Sequence, residues 1–223
     1  AKKGQFDKSW EKFFELLPNM VLFEAFDKED ALPFEISLEE AKKHPSVQRY
    51  CTISGLDLEN LTKQNTTQKK LSTINNVSAV IEGDFKDCWK QDRIDLRVSL
   101  NGENLVFAFY EKGKKQPFRM EQRSKGLQWF LAFYLLMKAE VKEYKSILLI
   151  DEPGLFVHAQ AQNDILGVLS KLSKENQIMI TTHSPYLIDP KRLDRVRLVI
   201  KNFKNNKDKK TRKGTKIYSL TAE

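Results

Sequence analysis

Hydrophobic and polar positions divide the sequence into a polar first part and a second part with longer apolar runs. In the first part, apolar positions recur at helical spacing in three stretches, residues 9–17, 37–44 and 56–90. Ser9 and Ser37 begin two of these stretches and Pro18 follows the first, which predicts helix starts and a helix end. Only residues 20–26 resemble a short strand. We therefore expect residues 1–91 to form a mostly helical arm or insertion.

The pattern changes near residue 92. Alternating apolar and polar positions on both sides of Asn101–Gly102 predict a β-hairpin, followed by a loop at 113–117. A turn and an apolar helix are expected over 123–141. Four further strands are predicted at 146–150, 177–182, 195–203 and 215–221, and an amphipathic helix is predicted at 159–176.

The strand–helix–strand order over residues 146–182 is that of a βαβ unit, which implies a parallel sheet. The apolar runs of both strands are typical of strands that are buried in such a sheet. In the helix between them, Ile165, Leu169 and Leu172 share one face. We predict an α/β fold in which residues 92–223 form one lobe.

Composition narrows the class of protein. The chain is 40% hydrophobic and 30% charged, which is typical of a soluble globular protein. Its longest apolar run, residues 129–137, is shorter than the roughly 20 residues that a membrane-spanning helix requires, so we expect no membrane partner. No secretory signal is evident, and two cysteines without a CxxC motif argue against a disulfide framework or a zinc site and favour a cytoplasmic location.

The net charge of +8 favours polyanionic partners such as DNA. Many of the positive charges lie near the C-terminus, so two interpretations stay open, a solvated linker and a nucleic-acid contact. The basic residues there are Lys201, Lys204, Lys207, Lys209, Lys210, Arg212, Lys213 and Lys216.

Residues suited to phosphate chemistry follow two successive strands. Asp151 and Glu152 end an apolar strand, at the edge where open α/β sheets bind ligands. One carboxylate there can hold Mg²⁺ and the other can accept a proton from water. An acidic pair can also lie in a solvated turn, but the apolar strand and the following Pro153–Gly154 favour a site. His183 follows the next strand, which is expected to neighbour the first, so it can lie beside the acids and bind a phosphate or the attacking water.

A third candidate is RSKGLQ, residues 123–128, at the start of the apolar helix. Free N–H groups at a helix N-terminus bind anions, and Ser124 and Gly126 are small enough to leave them accessible. By itself this pattern is equally typical of an ordinary helix cap. Its value comes from the order of the three motifs along the chain.

That order resembles the ABC-type ATPase heads. RSKGLQ is similar to their signature motif, ILLIDEPG (147–154) to Walker B, LFVHAQAQ (155–162) to the D-loop and TTHSP (181–185) to the switch-histidine loop. The wording over about residues 92–200 is most similar to the overcoming-lysogenization-defect (OLD) family of ATPase-nucleases, with SMC-like heads as relatives. Phe156 is not a candidate, because such proteins often have a polar residue or histidine there.

The resemblance implies specific roles. Asp151 would take Mg²⁺, Glu152 would be the general base and His183 would contact the γ-phosphate. Ser124 and Gly126, with Arg123 beside them, would bind the ATP that is held by the other subunit of a homodimer. His158 and Gln160 would communicate across that dimer.

The sequence contains no GxxxxGK[ST] motif and no downstream acidic cluster of a TOPRIM nuclease. We therefore expect either a fragment of a longer ATPase, with a sheet edge that self-associates or takes a partner strand, or a degenerate head without turnover. A basic nucleic-acid-binding domain is the third alternative.

Overall fold

The structure is a computed structural model that describes residues 17–23, 31–143, 146–201 and 215–219. The helix predicted before Pro18 lies outside these residues, as do residues 24–26 of the predicted first strand. The chain divides into two units, Ala1–His183 and Ser184–Glu223.

The first unit holds most of the regular structure. In chain order, its elements are β1 (Asn19–Phe23), β2 (Glu35–Ser37), α1 (Leu38–Ala41), α2 (Pro45–Ser54), α3 (Leu58–Lys63), α4 (Thr67–Cys88), β3 (Ile94–Asn101), β4 (Asn104–Glu111), α5 (Lys125–Glu143), β5 (Ser146–Asp151), α6 (Ala159–Leu172) and β6 (Gln177–Thr181). A short 3₁₀ helix, Met120–Gln122, precedes α5.

A parallel sheet with the strand order β1-β5-β6 carries the predicted acids. The βαβ prediction is confirmed, because β5 and β6 pair in parallel with α6 between them in the chain. One face of the sheet packs against the buried helix α5. There Phe23 contacts Trp129 edge-to-face, with ring centroids 5.7 Å apart. Leu148 and Ile150 are buried on the same face.

The opposite face of this sheet is open in the described structure. Met20, Leu22 and Met179 are 64%, 58% and 66% exposed, although their neighbours Ile147 and Leu149 are half-buried. The prediction that β5 and β6 are buried on both faces is therefore wrong for β6 and holds only in part for β5. The apolar run of β6 predicts the strand, but burial requires a covering layer, and the described residues provide one only on the side of α5.

A second, antiparallel sheet has the order β2-β4-β3. The predicted hairpin is confirmed: Asn101 pairs with Asn104, and Gly102 forms the turn with a positive φ of 60°. Glycine suits this position because other residues adopt that conformation at a cost. Helix α4 packs against β3.

The polar first part is helical, but it also completes both sheets. Helices α3 and α4 confirm the helical structure predicted over residues 56–90, and Ser37 caps α1 by accepting a hydrogen bond from the Glu40 amide at 3.2 Å. Strand β1 lies at one edge of the parallel sheet, however, and β2 pairs with β4. The division into an arm, 1–91, and a lobe, 92–223, stays a prediction, and any such arm shares its strands with the lobe.

Helix α5 forms the centre of the core, because nearly all of its residues from Leu127 to Met137 are buried. Its Tyr134 hydroxyl donates to Asp84 of α4 at 2.8 Å, and Lys138 forms an ion pair with the same carboxylate. Burial would raise the pKa of Asp84, but hydrogen bonds from Lys138 and Tyr134 outweigh it and hold that pKa below its usual range. The long helix of the first part is thereby fixed to the apolar helix.

The second unit contains the two predicted late strands, β7 (Arg197–Lys201) and β8 (Thr215–Ser219), which pair antiparallel and are exposed along their whole length. Most of the basic residues near the C-terminus lie in 202–214, outside the described residues. In the first unit, Cys51 and Cys88 are buried free thiols. None of the helices in the described part of the chain combines the length and apolar character needed to cross a membrane.

Candidate functional site

The candidate site lies where β5 and β6 end side by side. Asp151 is the last residue of β5 and pairs in register with Thr181, the last residue of β6. The Thr181 hydroxyl donates a hydrogen bond to the Asp151 carboxylate. His183 follows two residues later and contacts Glu152, with its Nε2 atom 3.5 Å from Oε1. The structure therefore brings together the three residues that the strand pattern placed at one edge.

Glu152 has an uncommon backbone conformation. Among the described residues, Glu152 is the non-glycine residue with a positive φ, 47°. This value lies in the left-handed region, which is unfavourable for residues that have a Cβ atom. The backbone N of Glu152 donates to the Thr181 carbonyl oxygen at 3.0 Å, so β6 holds this turn in place. The conformation turns the chain sharply at the end of β5, and the Glu152 side chain remains half-buried beside His183.

The loop after Glu152 is tightly packed. Pro153, Gly154 and Val157 are buried, and the Val157 amide donates to the Gly154 carbonyl at 3.1 Å. From α6, the buried side chain of Gln162 donates through Nε2 to the carbonyl oxygens of Gly154 and Val157, at 3.3 and 3.2 Å. This loop is therefore an ordered support for Glu152.

His158 and Gln160, the two candidates from the segment similar to the D-loop, lie at the start of α6. His158 caps this helix, because its Nδ1 accepts a hydrogen bond from the Ala161 amide at 3.2 Å. Gln160 is exposed on the first turn. Leu155 and Phe156, immediately before them, are large apolar residues that are 70% and 49% exposed. An exposed apolar pair beside the acids is a surface that a partner could cover.

The RSKGLQ candidates at the start of α5 have different surroundings. Ser124 is exposed and accepts a hydrogen bond from the Leu127 amide at 3.3 Å, as an N-cap residue does. The guanidinium of Arg123 pairs with Glu111 of β4 and lies 3.9 Å from the centre of the Phe118 ring.

Hydrogen bonds from Lys114 and Arg123 hold the pKa of the Glu111 carboxyl below its usual range. Arg123 thus anchors the start of α5 to the hairpin.

Gly126 is buried against Phe156 and Val157 of the same chain. Of the three residues, Ser124 is the one with an exposed polar side chain, since the side chain of Arg123 is paired with Glu111 and Gly126 has none.

The donors at the sheet edge fit a hard cation. Mg²⁺ in phosphate-transferring proteins is usually held by one or two carboxylates, with phosphate oxygens and water completing the shell. Asp151 is exposed and has the Thr181 hydroxyl beside it, so this edge presents oxygen ligands to solvent. Among the described residues, no group of three or more His, Cys, Asp and Glu side chains surrounds a common point. The oxygen atoms of Asp151 and Thr181 suit a cation whose remaining ligands are phosphate oxygens and water.

Two residues of this site were absent from the sequence-based candidates. Thr181 appeared only as part of the TTHSP segment, although its register opposite Asp151 follows from parallel pairing of two strands that end together. Gln162 lies on the buried face of α6 with Ala161 and Ile165. A polar residue on an apolar helix face was the available signal for it.

Comparison with known proteins assigns the chain to a family. Residues 12–189 match the family model AAA_21, described as "AAA domain, putative AbiEii toxin, Type IV TA system". Protein MJECL43 of Methanocaldococcus jannaschii is 32% identical over 130 residues, which cover 54% of this chain and 34% of that protein. Septu protein PtuA of Bacillus thuringiensis is 26% identical over 100 residues, which cover 44% of this chain and 25% of PtuA. The matched part is thus about a third or a quarter of each relative's length.

Solved structures of SMC heads are also similar to this chain. One is described as "Structural biochemistry of ATP-driven dimerization and DNA stimulated activation of SMC ATPases" and has a TM-score of 0.49 at 14% identity, covering 70% of this chain and 90% of that one. A second, the SmcHead bound to the C-winged helix domain of ScpA, has a TM-score of 0.49 at 17% identity and covers 83% of this chain and 54% of that one.

Proposed function

The chain belongs to the AAA_21 family of AAA domains, and we propose that it supplies the hydrolytic edge of an ABC-type head that binds and hydrolyses ATP. The observation that carries the proposal is the contact of Glu152 with His183 beside Asp151, at the carboxyl end of two parallel strands. Open α/β sheets bind their ligands at this edge. Phosphoryl transfer to water uses a carboxylate that holds the cation and a residue that activates or positions the water, and in this proposal Asp151 and Glu152 supply them.

In the proposed reaction, Glu152 accepts a proton from the water that attacks the γ-phosphate. The His183 imidazole, which is 99% exposed on its side chain, is free to turn toward the phosphate and donate a hydrogen bond. Asp151 would hold Mg²⁺, and the cation when bound neutralises charge on the phosphate oxygens. Thr181 orients Asp151 through its hydroxyl.

ATP would be held between two copies of the head. In this proposal Ser124, at the start of α5, contacts the ATP of the second copy, while the exposed pair Leu155 and Phe156 lies in the interface. A glycine-rich phosphate loop from further sequence would complete the nucleotide site. The parallel sheet has an open edge and an open face on which Met20, Leu22 and Met179 are exposed. This exposure supports the proposal that a further segment covers them.

We further propose DNA as a partner of the whole protein. The net charge of +8 and the exposed basic residues Arg197, Lys201 and Lys216 of the β7–β8 hairpin support a polyanionic partner. The resemblance to the OLD family extends the proposal to a nuclease module and to a role in DNA metabolism or phage defence. The alternative is a degenerate head that binds partners without turnover.

Steady-state ATP hydrolysis by the full-length protein tests the proposal, with the parent compared with E152Q, each with and without DNA. We expect Mg²⁺-dependent turnover in the parent, stimulation by DNA and loss of turnover in E152Q. A parent without turnover would favour the degenerate head, and turnover that DNA leaves unchanged would remove DNA as the partner.

A further inference from the structure

Gly126 at the start of α5 touches the loop that follows the acids. A Cβ on residue 126 would lie 2.9 Å from the carbonyl oxygen of Phe156 and 3.1 Å from Cγ1 of Val157. The nearer obstacle is a backbone atom, so no side-chain rotation can relieve the overlap, and either α5 or the loop would have to shift. Gly126 does not have a positive φ. It is therefore the space at this contact, rather than the backbone conformation, that requires glycine.

Gln162 of α6 holds the same loop from within. The residue is only 9% exposed, and its side-chain amide donates to two loop carbonyls, those of Gly154 and Val157. Gly154, with a φ of 83°, fits against α6 so closely that a Cβ there would lie 2.8 Å from Ile165 Cδ1. The loop is thus fixed to α6 by hydrogen bonds and packed against α5 at Gly126.

These contacts lead directly to Glu152. A single buried residue, Pro153, separates Glu152 from Gly154. A shift of the Gly154 carbonyl must therefore change the direction of the Glu152 carboxylate, whose distance to His183 depends on the left-handed φ of 47°. Small misplacements of a reacting group are costly, since about 1 Å can lower a rate roughly 10²-fold.

We propose that Gly126 and Gln162 are positioning residues that clamp residues 152–158 between α5 and α6, and so hold Glu152 in line with its substrate. The inference rests on the proposed function, because it assigns how the base of that site is held. It also gives Gly126 a role within its own chain. A shift of the α5 start when a second copy presents ATP would be passed to Glu152 through the Phe156 and Val157 contact.

The test uses the full-length protein with G126A and Q162M, the second of which keeps the side-chain length but removes the amide donor. Matched controls are G167A and N163M on the same helix as Gln162. A Cβ added at residue 167 would meet no atom within 4 Å, and Asn163 is exposed. For each variant we would measure kcat, KM and the affinity for a non-hydrolysable ATP analogue. Amide hydrogen exchange at Glu152 and Val157, both hydrogen-bonded in the structure, would be followed without nucleotide.

We expect both G126A and Q162M to lower kcat by roughly 10- to 10²-fold, with nucleotide affinity close to that of the parent and faster exchange at Glu152 and Val157. The controls should resemble the parent. Unchanged exchange at both amides in both variants would overturn the clamp. Should G126A not fold by circular dichroism, Q162M and its control N163M decide the matter alone.

The two proposals fail in different ways. If the parent does not hydrolyse ATP, the proposed function fails, while hydrogen exchange still reports whether the clamp holds the loop. If the parent hydrolyses ATP and only G126A weakens binding of the analogue, with Q162M unaffected in every measurement, Gly126 acts by contacting nucleotide and the clamp is refuted.

Discussion

His183 contacts both carboxylate oxygens of Glu152. Its backbone N donates to Oε2 at 3.2 Å, and its ring Nε2 lies 3.5 Å from Oε1. The backbone contact fixes the carboxylate to the end of β6, whereas the exposed ring can leave Glu152 and turn to another ligand. In the proposed reaction one residue can therefore orient the base and also bind a phosphate, and we expect the two side chains to have separable effects in mutants.

We expect E152Q to trap the ATP-bound dimer. The amide preserves the shape of the side chain but cannot accept the proton, and loss of a general base typically lowers kcat by roughly 10²–10⁴-fold. Light scattering after size exclusion, with ATP and Mg²⁺, measures the dimer fraction. The control is E175Q, an exposed glutamate after α6. A monomeric E152Q with parental turnover would remove Glu152 from this role.

H183A should slow hydrolysis while leaving nucleotide affinity nearly unchanged. The His183 backbone N still donates to Glu152 in this variant, so the base stays oriented and only the ring is lost. Single-turnover hydrolysis and equilibrium binding of ATP separate the two effects. H158A is an informative comparison, because His158 caps α6 and should affect stability before chemistry. Parental single-turnover rates in H183A would exclude its ring from the reaction.

The double variant L155S/F156S should weaken ATP-dependent dimerisation and leave the monomer folded. Leu155 is 70% and Phe156 49% exposed, so burial of the exposed parts in a dimer would be worth at most about 1.5–3 kcal/mol each. Even a part of this corresponds to a tenfold or larger rise in the dimer Kd, which sedimentation can measure. L193S, at a leucine that is 43% exposed in the second unit, is the control. Equal dimerisation of both variants would place the interface elsewhere.

The contact of Tyr134 with Asp84 predicts a pH-dependent stability. The pKa of Asp84 is lowered from its ordinary value of 3.8, so its contribution is fully present above that pH and is lost as the pH falls through the folded-state pKa. D84N should therefore be less stable than the parent at pH 7, with a difference that shrinks in acid.

Y134F, at a fully buried tyrosine, should lose about 0.5–1.5 kcal/mol of unfolding free energy through the missing hydrogen bond. Urea unfolding at pH 7 and near pH 3 measures both effects. D87N, an exposed aspartate on the same helix as Asp84, is the control. A difference between parent and D84N that does not depend on pH would contradict the assigned linkage.

Predictions from the sequence pattern were confirmed for elements that depend on residues close together in the chain. The hairpin followed from Asn101–Gly102, the cap of α1 from Ser37, and the juxtaposition of Asp151 with the end of β6 from two apolar strands of similar length joined by a helix. Each depends on residues within one supersecondary unit. For that reason the acids and His183 could be placed at one edge from the sequence alone.

Features that depend on distant parts of the chain could not be predicted in this way. The pattern of residues 20–26 suggested a strand but contained no information that it pairs with β5, more than a hundred residues away. The apolar run of β6 predicted burial, although its Met179 side is open. Gly126 was interpreted as a small residue beside a phosphate, and only the structure shows its contact with Phe156 and Val157.

The left-handed backbone conformation of Glu152 lowers the stability of the fold. A glutamate in this conformation costs about 1–2 kcal/mol, whereas asparagine adopts it more readily because its short side chain can hydrogen-bond locally. Selection for a more stable chain alone would therefore favour asparagine at position 152. The glutamate found there makes the fold less stable than it could be, and folding gives no reason for that choice.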